Sequence, residues 1–349
     1  GNDMEKARAL IIPAQNRLEF TELEKPGVRD YEVLLKVKAC SLCTLDRRVF
    51  LGTRARQFPF LGGHEVSGII EACGDGVVGV QKGDSVILTS AYCNQCEMDR
   101  TGRGTQCINK AKEPQRVNFN GFIQGGGLCE YLSVPAWQVI KLDPAVDLDH
   151  AALTEPLACC IHSINKGRIR LGDTVVVIGM GIMGYFHMKL ALLRGARVIV
   201  SEMDEARRQK ALEGGAHAVL DPSGQDLCEE VRKLTGGLGA DVVVNTIPSP
   251  AVWDSAIQTL APYGRLIAYS SQDSKTPIGV DFGMMHSREI EFIGTLNPTI
   301  EDNDMAVKLI AYGLIDMEEV IDGRFSFEQG KEAFAAAMKP GAYRVIIKY

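Results

Sequence analysis

The segment CNQCEMDRTGRGTQC, at positions 93–107, holds four side chains that could bind a metal ion. Cys93, Cys96, Asp99 and Cys107 follow one another at intervals of three, three and eight residues. Thiolate and carboxylate are both zinc ligands, and four protein ligands leave no open position for a substrate. The spacing is typical of a metal site, here with a carboxylate at the third of four positions that usually all carry cysteine. An empty lobe and three unrelated thiols are the alternatives.

A second set of possible metal ligands is spread over three segments. ACSLCTLDRR contains Cys43, LGGHEVSG contains His64 and Glu65, and ALTEPLACC contains Glu155. Each residue alone is more often a core or surface residue than a ligand. Together, thiolate, imidazole and carboxylate are the ligands of catalytic zinc sites that keep one position open. Such a zinc could act as a Lewis acid in hydride transfer from an alcohol.

The stretch TVVVIGMGIMGYFHMK predicts a strand, a glycine-rich turn and a helix. Gly179, Gly181 and Gly184 form G-x-G-x-x-G, in which the glycines permit a tight turn, close approach of a pyrophosphate and packing of helix on strand. The helix N-terminus, with Ile182 and Met183, offers free N–H groups and partial positive charge to phosphates. We interpret this stretch as a dinucleotide-binding turn.

An acidic residue after the next predicted strand supports this interpretation. Glu202 stands 18 residues after Gly184, where a carboxylate can accept hydrogen bonds from both ribose hydroxyls and repel a 2′-phosphate. Met203 occupies the position where an NADP site would often place arginine. NAD is therefore favoured over NADP, with Arg207 as a further cofactor-binding candidate. The alternative for Glu202 is a solvated strand end.

Two regions with different hydrophobic patterns must position these residues. Positions 5 to about 150 alternate short apolar runs with turns and predict an antiparallel β region, a small barrel with almost no helix. Beyond position 155, continuous apolar runs separated by helical stretches predict a parallel sheet in a doubly wound α/β fold. Six strands are expected at 174–179, 197–200, 218–220, 241–246, 265–270 and 290–295. The last 50 or so residues return to strand character, so the α/β domain is expected to be an insertion in the β region.

Composition excludes several classes of protein. The chain has 349 residues, a net charge of −6 and 46% hydrophobic residues, which is typical of a soluble globular protein and unfavourable for nucleic-acid binding. No apolar run approaches the length of a membrane span, and no signal pattern opens the sequence, so a cytoplasmic protein is expected. Of the ten cysteines, four outside any spacing pattern are expected to be small buried residues, namely Cys73, Cys129, Cys160 and Cys228.

In combination these motifs resemble the zinc-dependent medium-chain dehydrogenase/reductase family, closest to its sorbitol (polyol) and threonine dehydrogenase branch. The likeness covers essentially the whole length and includes GHE, the cysteine cluster, GVVGVQKGDSVI, GGGLCEYL, EPLACCIHS, the glycine motif and GAYRVIIKY. It implies an α/β protein with a GroES-like β-barrel catalytic domain at 1–155, which carries the zinc lobe at 93–107. A Rossmann NAD-binding domain would follow at 156–298, and residues 299–349 would return to the catalytic domain.

The resemblance also implies roles for individual residues. Cys43 and His64 would bind catalytic zinc, with Glu65 or Glu155 completing the ligand set, and Asp46 would orient the histidine. The lobe would hold structural zinc. The implied activity is NAD-dependent hydride transfer with a secondary alcohol or polyol, in a homodimer or homotetramer. A zinc-free reductase of the same fold and a non-catalytic NAD-binding sensor are the alternatives.

The sequence departs from the family pattern in its proton relay. Members of the family usually carry Ser or Thr two residues after the ligand cysteine and a histidine three residues further on, whereas this chain has Leu45 and Arg48. Neither residue can relay a proton at neutral pH. Thr44 is a candidate substitute, although neighbouring residues of a strand face opposite ways. The alcohol proton is therefore expected to leave through Glu65 or Glu155.

A basic segment suggests the charge of the substrate. DRRVFLGTRARQFPF places Arg47, Arg48, Arg54 and Arg56 where the family has substrate-facing loops. The guanidinium fork suits carboxylate and phosphate groups. An anionic polyol or hydroxy acid is one expectation, with Arg48 as the candidate substrate-binding residue, and a solvated charged loop is the other.

Overall fold

The structure is a computed structural model that describes residues 5–90, 92–109, 126–271 and 277–349. The chain divides into two compact units. The first unit combines the residues up to Ala158 with Pro298–Tyr349, and the second consists of Cys159–Asn297. The expected architecture, in which an α/β domain is inserted into a β-rich one, is confirmed.

The first unit is built on a seven-stranded sheet in the order β14-β15-β3-β4-β5-β7, with β6 also paired to β3. Its pairings are antiparallel except for β14 with β15. A separate antiparallel pair, β1 with β2, packs its buried residues into the same core. The strands, numbered along the chain, are β1 (Lys6–Ile11), β2 (Glu19–Glu24), β3 (Glu32–Ser41), β4 (Glu65–Cys73), β5 (Ser85–Leu88), β6 (Tyr131–Pro135), β7 (Val139–Lys141), β14 (Ile321–Ser326) and β15 (Arg344–Lys348).

The first unit also contains helices. Among the described residues, three short ones lie largely within positions 5–150, where the sequence analysis expected almost none: Thr44–Leu51, Glu97–Arg100 and Leu148–Ala151. The helices are α1 (Thr44–Leu51), α2 (Glu97–Arg100), α3 (Leu148–Ala151), the start of α4 (Thr154–Lys166), α10 (Ile300–Ala311) and α11 (Gly330–Ala337). In α1, Cys43 is the N-cap, and Asp46 at the third helical position accepts a hydrogen bond from the Cys43 backbone N–H. Gly52 ends the helix with a φ of 77°, as left-handed caps usually require. A short helix of mixed composition has too weak a period to be recognised from sequence.

The second unit contains a six-stranded sheet in the order β10-β9-β8-β11-β12-β13, with every pairing parallel. This is the strand order of doubly wound dinucleotide-binding folds, in which ligands bind where the order reverses, here between β8 and β11. The strands are β8 (Thr174–Ile178), β9 (Arg197–Ser201), β10 (Ala218–Leu220), β11 (Ala240–Asn245), β12 (Leu260–Ala268) and β13 (Glu291–Gly294). The helices are α5 (Ile182–Leu193), α6 (Glu205–Glu213), α7 (Leu227–Leu234), α8 (Pro250–Thr259) and α9 (Phe282–Arg288), together with the rest of α4.

All six strands predicted for this unit are present, and one begins earlier than predicted. Strand β12 starts at Leu260, five residues before the predicted position. The prediction was too late because the sequence APYG is typical of a turn. The chain accommodates these residues with a register shift against β11 and a φ of 62° at Tyr263. No helix in the described part of the chain is long and apolar enough to cross a membrane.

Candidate active site

The pairing of β3 with β4 brings three of the predicted metal ligands together. Ser41 pairs with Glu65, so Cys43, two residues beyond β3, comes close to His64, the residue before β4. One ligand atom from each of Cys43, His64 and Glu65 lies within 4.8 Å of the others. The Cys43 thiol and the Glu65 carboxylate are buried, whereas the His64 side chain is about one-third exposed. The cluster is therefore rigid on its protein side and reachable at the histidine.

The spacing and chemistry of this cluster suit zinc. The Cys43 Sγ and His64 Nδ1 atoms are 3.7 Å apart. Tetrahedral zinc with a sulfur ligand at about 2.3 Å and a nitrogen ligand at about 2.1 Å holds them roughly 3.6 Å apart. Three protein ligands also leave a fourth position free for a substrate. The residues present thus fit a catalytic zinc ion.

Asp46 fixes the backbone around the cluster. Its fully buried carboxylate accepts the backbone N–H of Cys43 at 3.1 Å and that of Gly63 at 3.2 Å. At Gly62, a Cβ atom would lie 2.3 Å from Asp46 Oδ1, so a side chain there would displace the carboxylate. These contacts position the main chain beside Cys43 and His64. The role predicted for Asp46 in orienting the histidine ring stays a prediction.

Glu65 forms a buried ion pair that the sequence analysis missed. Its two carboxylate oxygens lie 3.1 Å from Nε and 3.3 Å from Nη2 of Arg344 on β15, and each side chain is 1% exposed. Burial lowers the pKa of Arg344, but Glu65 and Cys43 outweigh it and raise the pKa above its ordinary value. The signal in the sequence was an arginine within the apolar strand YRVIIKY, since a buried charge requires a partner.

Glu155 lies beside the cluster of three. It stands in the first turn of α4, and its carboxylate is 3.8 Å from His64 Nε2, the ring nitrogen that faces away from Cys43. The Glu155 side chain is 13% exposed. Burial lowers the pKa of His64, but Cys43 and then Glu155 raise it well above its ordinary value. Of the two glutamates, Glu65 lies among the candidate ligands, whereas Glu155 borders the outer face of the histidine.

The residues of the altered proton relay lie on α1. Thr44 is the first residue of this helix, so the expectation that it lies on a strand is wrong. Its hydroxyl accepts a hydrogen bond from Arg47, which also donates to the Ala337 carbonyl on α11. Arg47 is therefore engaged within the protein. Arg48, one helical turn after Thr44, is exposed, as is Arg54, whereas Arg56 is half-buried.

The lobe at 93–107 forms a second compact cluster. The ligand atoms of Cys93, Cys96, Asp99 and Cys107 all lie within 4.8 Å of one another. Asp99 Oδ2 is 3.0 Å from Cys93 Sγ and 3.1 Å from Cys96 Sγ, and Oδ1 is buried without a hydrogen-bond partner among the described residues. A buried carboxylate oxygen among three thiols suits a metal ligand.

In the second unit, β8, a glycine turn and α5 form the predicted dinucleotide motif. Gly179 has a φ of +91°, and a Cβ at Gly184 would lie 1.9 Å from the Gly179 carbonyl oxygen. Gly181 has open space where a Cβ would stand, and its carbonyl accepts the Tyr185 N–H as the first helical bond. The amides of Ile182 and Met183 therefore precede the first intrahelical bond and are available to an anion.

The other cofactor-binding candidates lie at the same end of the sheet. Glu202 follows β9 and accepts hydrogen bonds from the backbone N–H groups of Met180, in the glycine turn, and Asp204. Arg207 Nη1 is 3.9 Å from a Glu202 oxygen. The structure thus brings Glu202 and Arg207 to the glycine turn, as a site for the adenosine half of a dinucleotide requires.

Not all of the four other cysteines are core residues. Cys129 and Cys160 are buried, as expected, but Cys73 and Cys228 are half-buried. The Cys228 sulfur contacts the Arg232 guanidinium and the Gln258 carbonyl, so it lies at a polar edge of the second unit.

Comparisons with known proteins agree with this fold. The family description "Alcohol dehydrogenase GroES-like domain" matches residues 29–144, and "Zinc-binding dehydrogenase" matches residues 182–312. The 2-dehydro-3-deoxy-L-galactonate 5-dehydrogenase of Pseudoalteromonas atlantica is 30% identical, with 87% of each chain covered. The D-arabitol-phosphate dehydrogenase of Enterococcus avium is 28% identical over 96% of this chain and 95% of that protein. A structure described as a zinc-binding dehydrogenase from Sinorhizobium meliloti, bound to NADP, matches with a TM-score of 0.88 and 25% identity over 99% and 100% of the two chains.

A β-rich unit with a thiolate–imidazole–carboxylate cluster and an inserted dinucleotide-binding unit define an oxidoreductase of the alcohol dehydrogenase type. The chain belongs to the zinc-dependent medium-chain dehydrogenase/reductase family. The family assignment made from the sequence is confirmed.

The buried ion pair generates a stability prediction. Arg344→Met leaves the Glu65 charge buried and unpaired, so we expect the free energy of unfolding to fall by about 3–5 kcal/mol. The double variant Glu65→Gln/Arg344→Met should recover most of this loss. Denaturant unfolding measures the effect, with Arg17→Met, which breaks an exposed pair with Glu19, as a control expected to cost less than about 1 kcal/mol. Equal losses in Arg344→Met and the control would contradict the prediction.

Proposed function

We propose that this protein is a zinc-dependent dehydrogenase that transfers hydride between NAD and a secondary alcohol or polyol. The observation that carries the proposal is the cluster of Cys43, His64 and Glu65 in a chain of the zinc-binding dehydrogenase family, because three protein ligands leave a fourth zinc position for a substrate. The glycine turn of the second unit supplies the second requirement, a dinucleotide site. A zinc-free reductase would not need the ligand cluster, and a sensor would not need the open position.

In this proposal different residues bind zinc, neutralise the charge of a ligand and transfer the proton. Cys43, His64 and Glu65 hold zinc, and Arg344 neutralises Glu65, so the cluster carries less negative charge than its residue types suggest. When bound, zinc supplies a Lewis acid for the alcohol oxygen and NAD accepts the hydride. The lobe of Cys93, Cys96, Asp99 and Cys107 holds a structural zinc in the same proposal.

The choice of NAD over NADP rests on Glu202. Its carboxylate lies beside the glycine turn, where it would repel the 2′-phosphate of NADP. Met203 next to it is 68% exposed and offers no positive charge. Arg207 is 3.9 Å from the Glu202 carboxylate, so that carboxylate competes with any phosphate for its charge.

Glu155 is the better of the two candidate proton carriers. Both oxygens of Glu65 face Arg344, and its side chain is 1% exposed. Glu155 is more exposed and lies at the outer ring nitrogen of His64. A carboxylate that touches both the cluster and the solvent can take up a proton at the site and release it.

The first test joins metal content to activity. We expect the purified wild-type protein to hold two zinc ions per chain and to reduce NAD with at least one member of a panel of polyols, sugar acids and sugar phosphates. Cys43→Ala should lose one zinc and lower kcat at least a thousandfold, since its ligand set is incomplete. Asp99→Ala should also lose one zinc and lower the melting temperature, and any activity it loses should follow the loss of folded protein.

Two results would reject the function. A zinc-free wild-type protein that turns over activated double bonds would favour the zinc-free reductase. Binding of NAD without turnover of any member of the panel would favour the sensor.

The second test concerns the proton route. Glu155→Gln keeps the size of the side chain but cannot take up a proton, so we expect kcat to fall roughly 100-fold or more. Thr44→Val, the matched control on α1, should change kcat less than about threefold, because its hydroxyl is already bonded to Arg47. Steady-state kinetics at several pH values measures both variants. Unchanged turnover in Glu155→Gln would rule out this role.

An anionic substrate is the finer part of the proposal. Both relatives named above are called after anionic substrates, a phosphate and a galactonate. In this chain Arg48 and Arg54 are exposed, and the Arg54 backbone N–H donates to the Arg48 carbonyl, so the two residues are neighbours at the end of α1. Arg47 is excluded by its bonds to Thr44 and Ala337. We therefore take Arg48, with Arg54 beside it, as the candidate for binding a carboxylate or phosphate group.

The third test separates charge from shape. Arg48→Gln should raise KM for an anionic polyol about tenfold or more and leave kcat/KM for its neutral analogue within about twofold. Arg17→Gln removes an exposed arginine elsewhere in the same unit and should change neither value. An equal effect of Arg48→Gln on both substrates would show a solvated loop instead.

Location and assembly stay predictions. All ten cysteines are free thiols, which supports the expected cytoplasmic location, where thiols are kept reduced. The homodimer or homotetramer expected from the resemblance can be decided by analytical ultracentrifugation.

A further inference from the structure

A buried histidine in the second unit forms a polar cluster that the function proposed above does not use. His187 lies on α5 and Ser163 on α4, and both are 0% exposed. His187 Nδ1 is 2.7 Å from the Met183 carbonyl oxygen, and Nε2 is 2.7 Å from Ser163 Oγ. The Tyr269 ring packs edge-on against the imidazole at 4.6 Å.

The partners of His187 determine its protonation. A carbonyl oxygen can only accept, so Nδ1 carries the hydrogen and donates it to Met183. Nε2 then accepts the hydroxyl hydrogen of Ser163. Burial lowers the pKa of His187 to about 4, which agrees with a neutral ring. Although a serine beside a histidine resembles a nucleophile and its base, full burial of both excludes contact with a substrate.

The acceptor of this hydrogen bond belongs to the dinucleotide turn. In an α-helix the Met183 carbonyl accepts the backbone N–H of residue 187, and here it also receives His187 Nδ1–H and, at 3.6 Å, the Cys160 thiol. This carbonyl shares its peptide group with the N–H of Gly184. That N–H precedes the first intrahelical bond, from Tyr185 to Gly181, and so belongs to the anion-binding end of α5.

We propose that His187, whose ring Ser163 holds in place through Nε2, is a positioning residue that sets the plane of the Met183–Gly184 peptide and thereby directs its N–H at the pyrophosphate of the dinucleotide. Donors on a carbonyl also polarise its peptide group and strengthen the N–H on the other side. An apolar residue at 187 could pack in the core, but it would leave the Met183 carbonyl with only the backbone N–H of residue 187 and the Cys160 thiol as donors, so the plane of the peptide would be less firmly fixed. The inference rests on the proposed binding of NAD.

The test compares ligands with and without phosphate groups. His187→Phe keeps a ring beside Tyr269 but removes both hydrogen bonds. We expect the Kd values of NADH and ADP-ribose to rise roughly tenfold, and that of adenosine to change less than about twofold. His187→Asn, whose Nδ2 stands at the same number of bonds from Cβ as His187 Nδ1 and can donate to the Met183 carbonyl, should restore binding to within about threefold of wild type. Calorimetry and NADH fluorescence measure these constants.

Two further variants separate positioning from stability. Leu190→Ala removes a buried side chain from the same helix and should lower the melting temperature with less than about a twofold change in either Kd. Ser163→Ala keeps the ring but removes the hydrogen bond that holds it at Nε2, so it should weaken NADH and ADP-ribose binding about two- to fivefold and leave adenosine unchanged. This variant tests the inference independently of whether His187→Phe folds.

The outcomes distinguish the two proposals. If wild type binds NADH while His187→Phe or Ser163→Ala binds it equally well, only the role of His187 is overturned. Equal weakening of ADP-ribose and adenosine would also overturn it, because a loosened unit would affect both ligands alike. If wild type binds neither NADH nor ADP-ribose, the proposed dinucleotide site is rejected, and the inferred role of His187 is rejected with it.

Discussion

The first unit buries two opposite charges, Glu65 and Arg344, and neither can be buried without the other. Removing two charges from water costs several kcal/mol for each ion, and only a close, hydrogen-bonded pair offsets that cost. Glu65 begins β4, next to His64, whereas Arg344 begins β15, in the segment that returns after the second unit. Without β15 in place, Glu65 would be a lone charge in the core. The pair therefore links the completion of the sheet to the formation of the ligand cluster of Cys43, His64 and Glu65.

A second constraint is the lack of space around the backbone that precedes His64. A Cβ at Gly62 would collide with the Asp46 carboxylate, and Gly63 combines a φ of +94° with a Cβ position 2.7 Å from the Leu128 backbone nitrogen. The Asp46 carboxylate can accept the N–H groups of Cys43 and Gly63 because residue 62 has no side chain, and residue 63 can approach Leu128 because it has none either. The sequence GGHE is thus explained by packing at its first two positions and by ligand chemistry at the other two.

What the sequence could predict depended on whether a signal was local. Continuous apolar runs identified the six parallel strands, and the spacing of G-x-G-x-x-G identified the turn before α5. Helix α1 was missed because eight residues of mixed character carry little periodicity. The partners of buried polar groups were missed for another reason. Glu65 and Arg344 are 279 residues apart in the sequence, and Ser163 and His187 are 24 apart. The sequence around one residue of each pair therefore does not identify its partner.

The surroundings of the acidic residues in the first unit explain how similar side chains can differ in chemistry. Asp46 is buried against two backbone amides, which hold its charge in place and make it a scaffold. Glu65 is buried against one arginine, which leaves lone pairs for a cation but no path to water. Glu155, at 13% exposure, alone among the three borders both the histidine and the exterior. Because Leu45 removes the hydroxyl that the family usually places near the ligand cysteine, the chain needs a proton carrier elsewhere, and Glu155 has the surroundings that such a carrier requires.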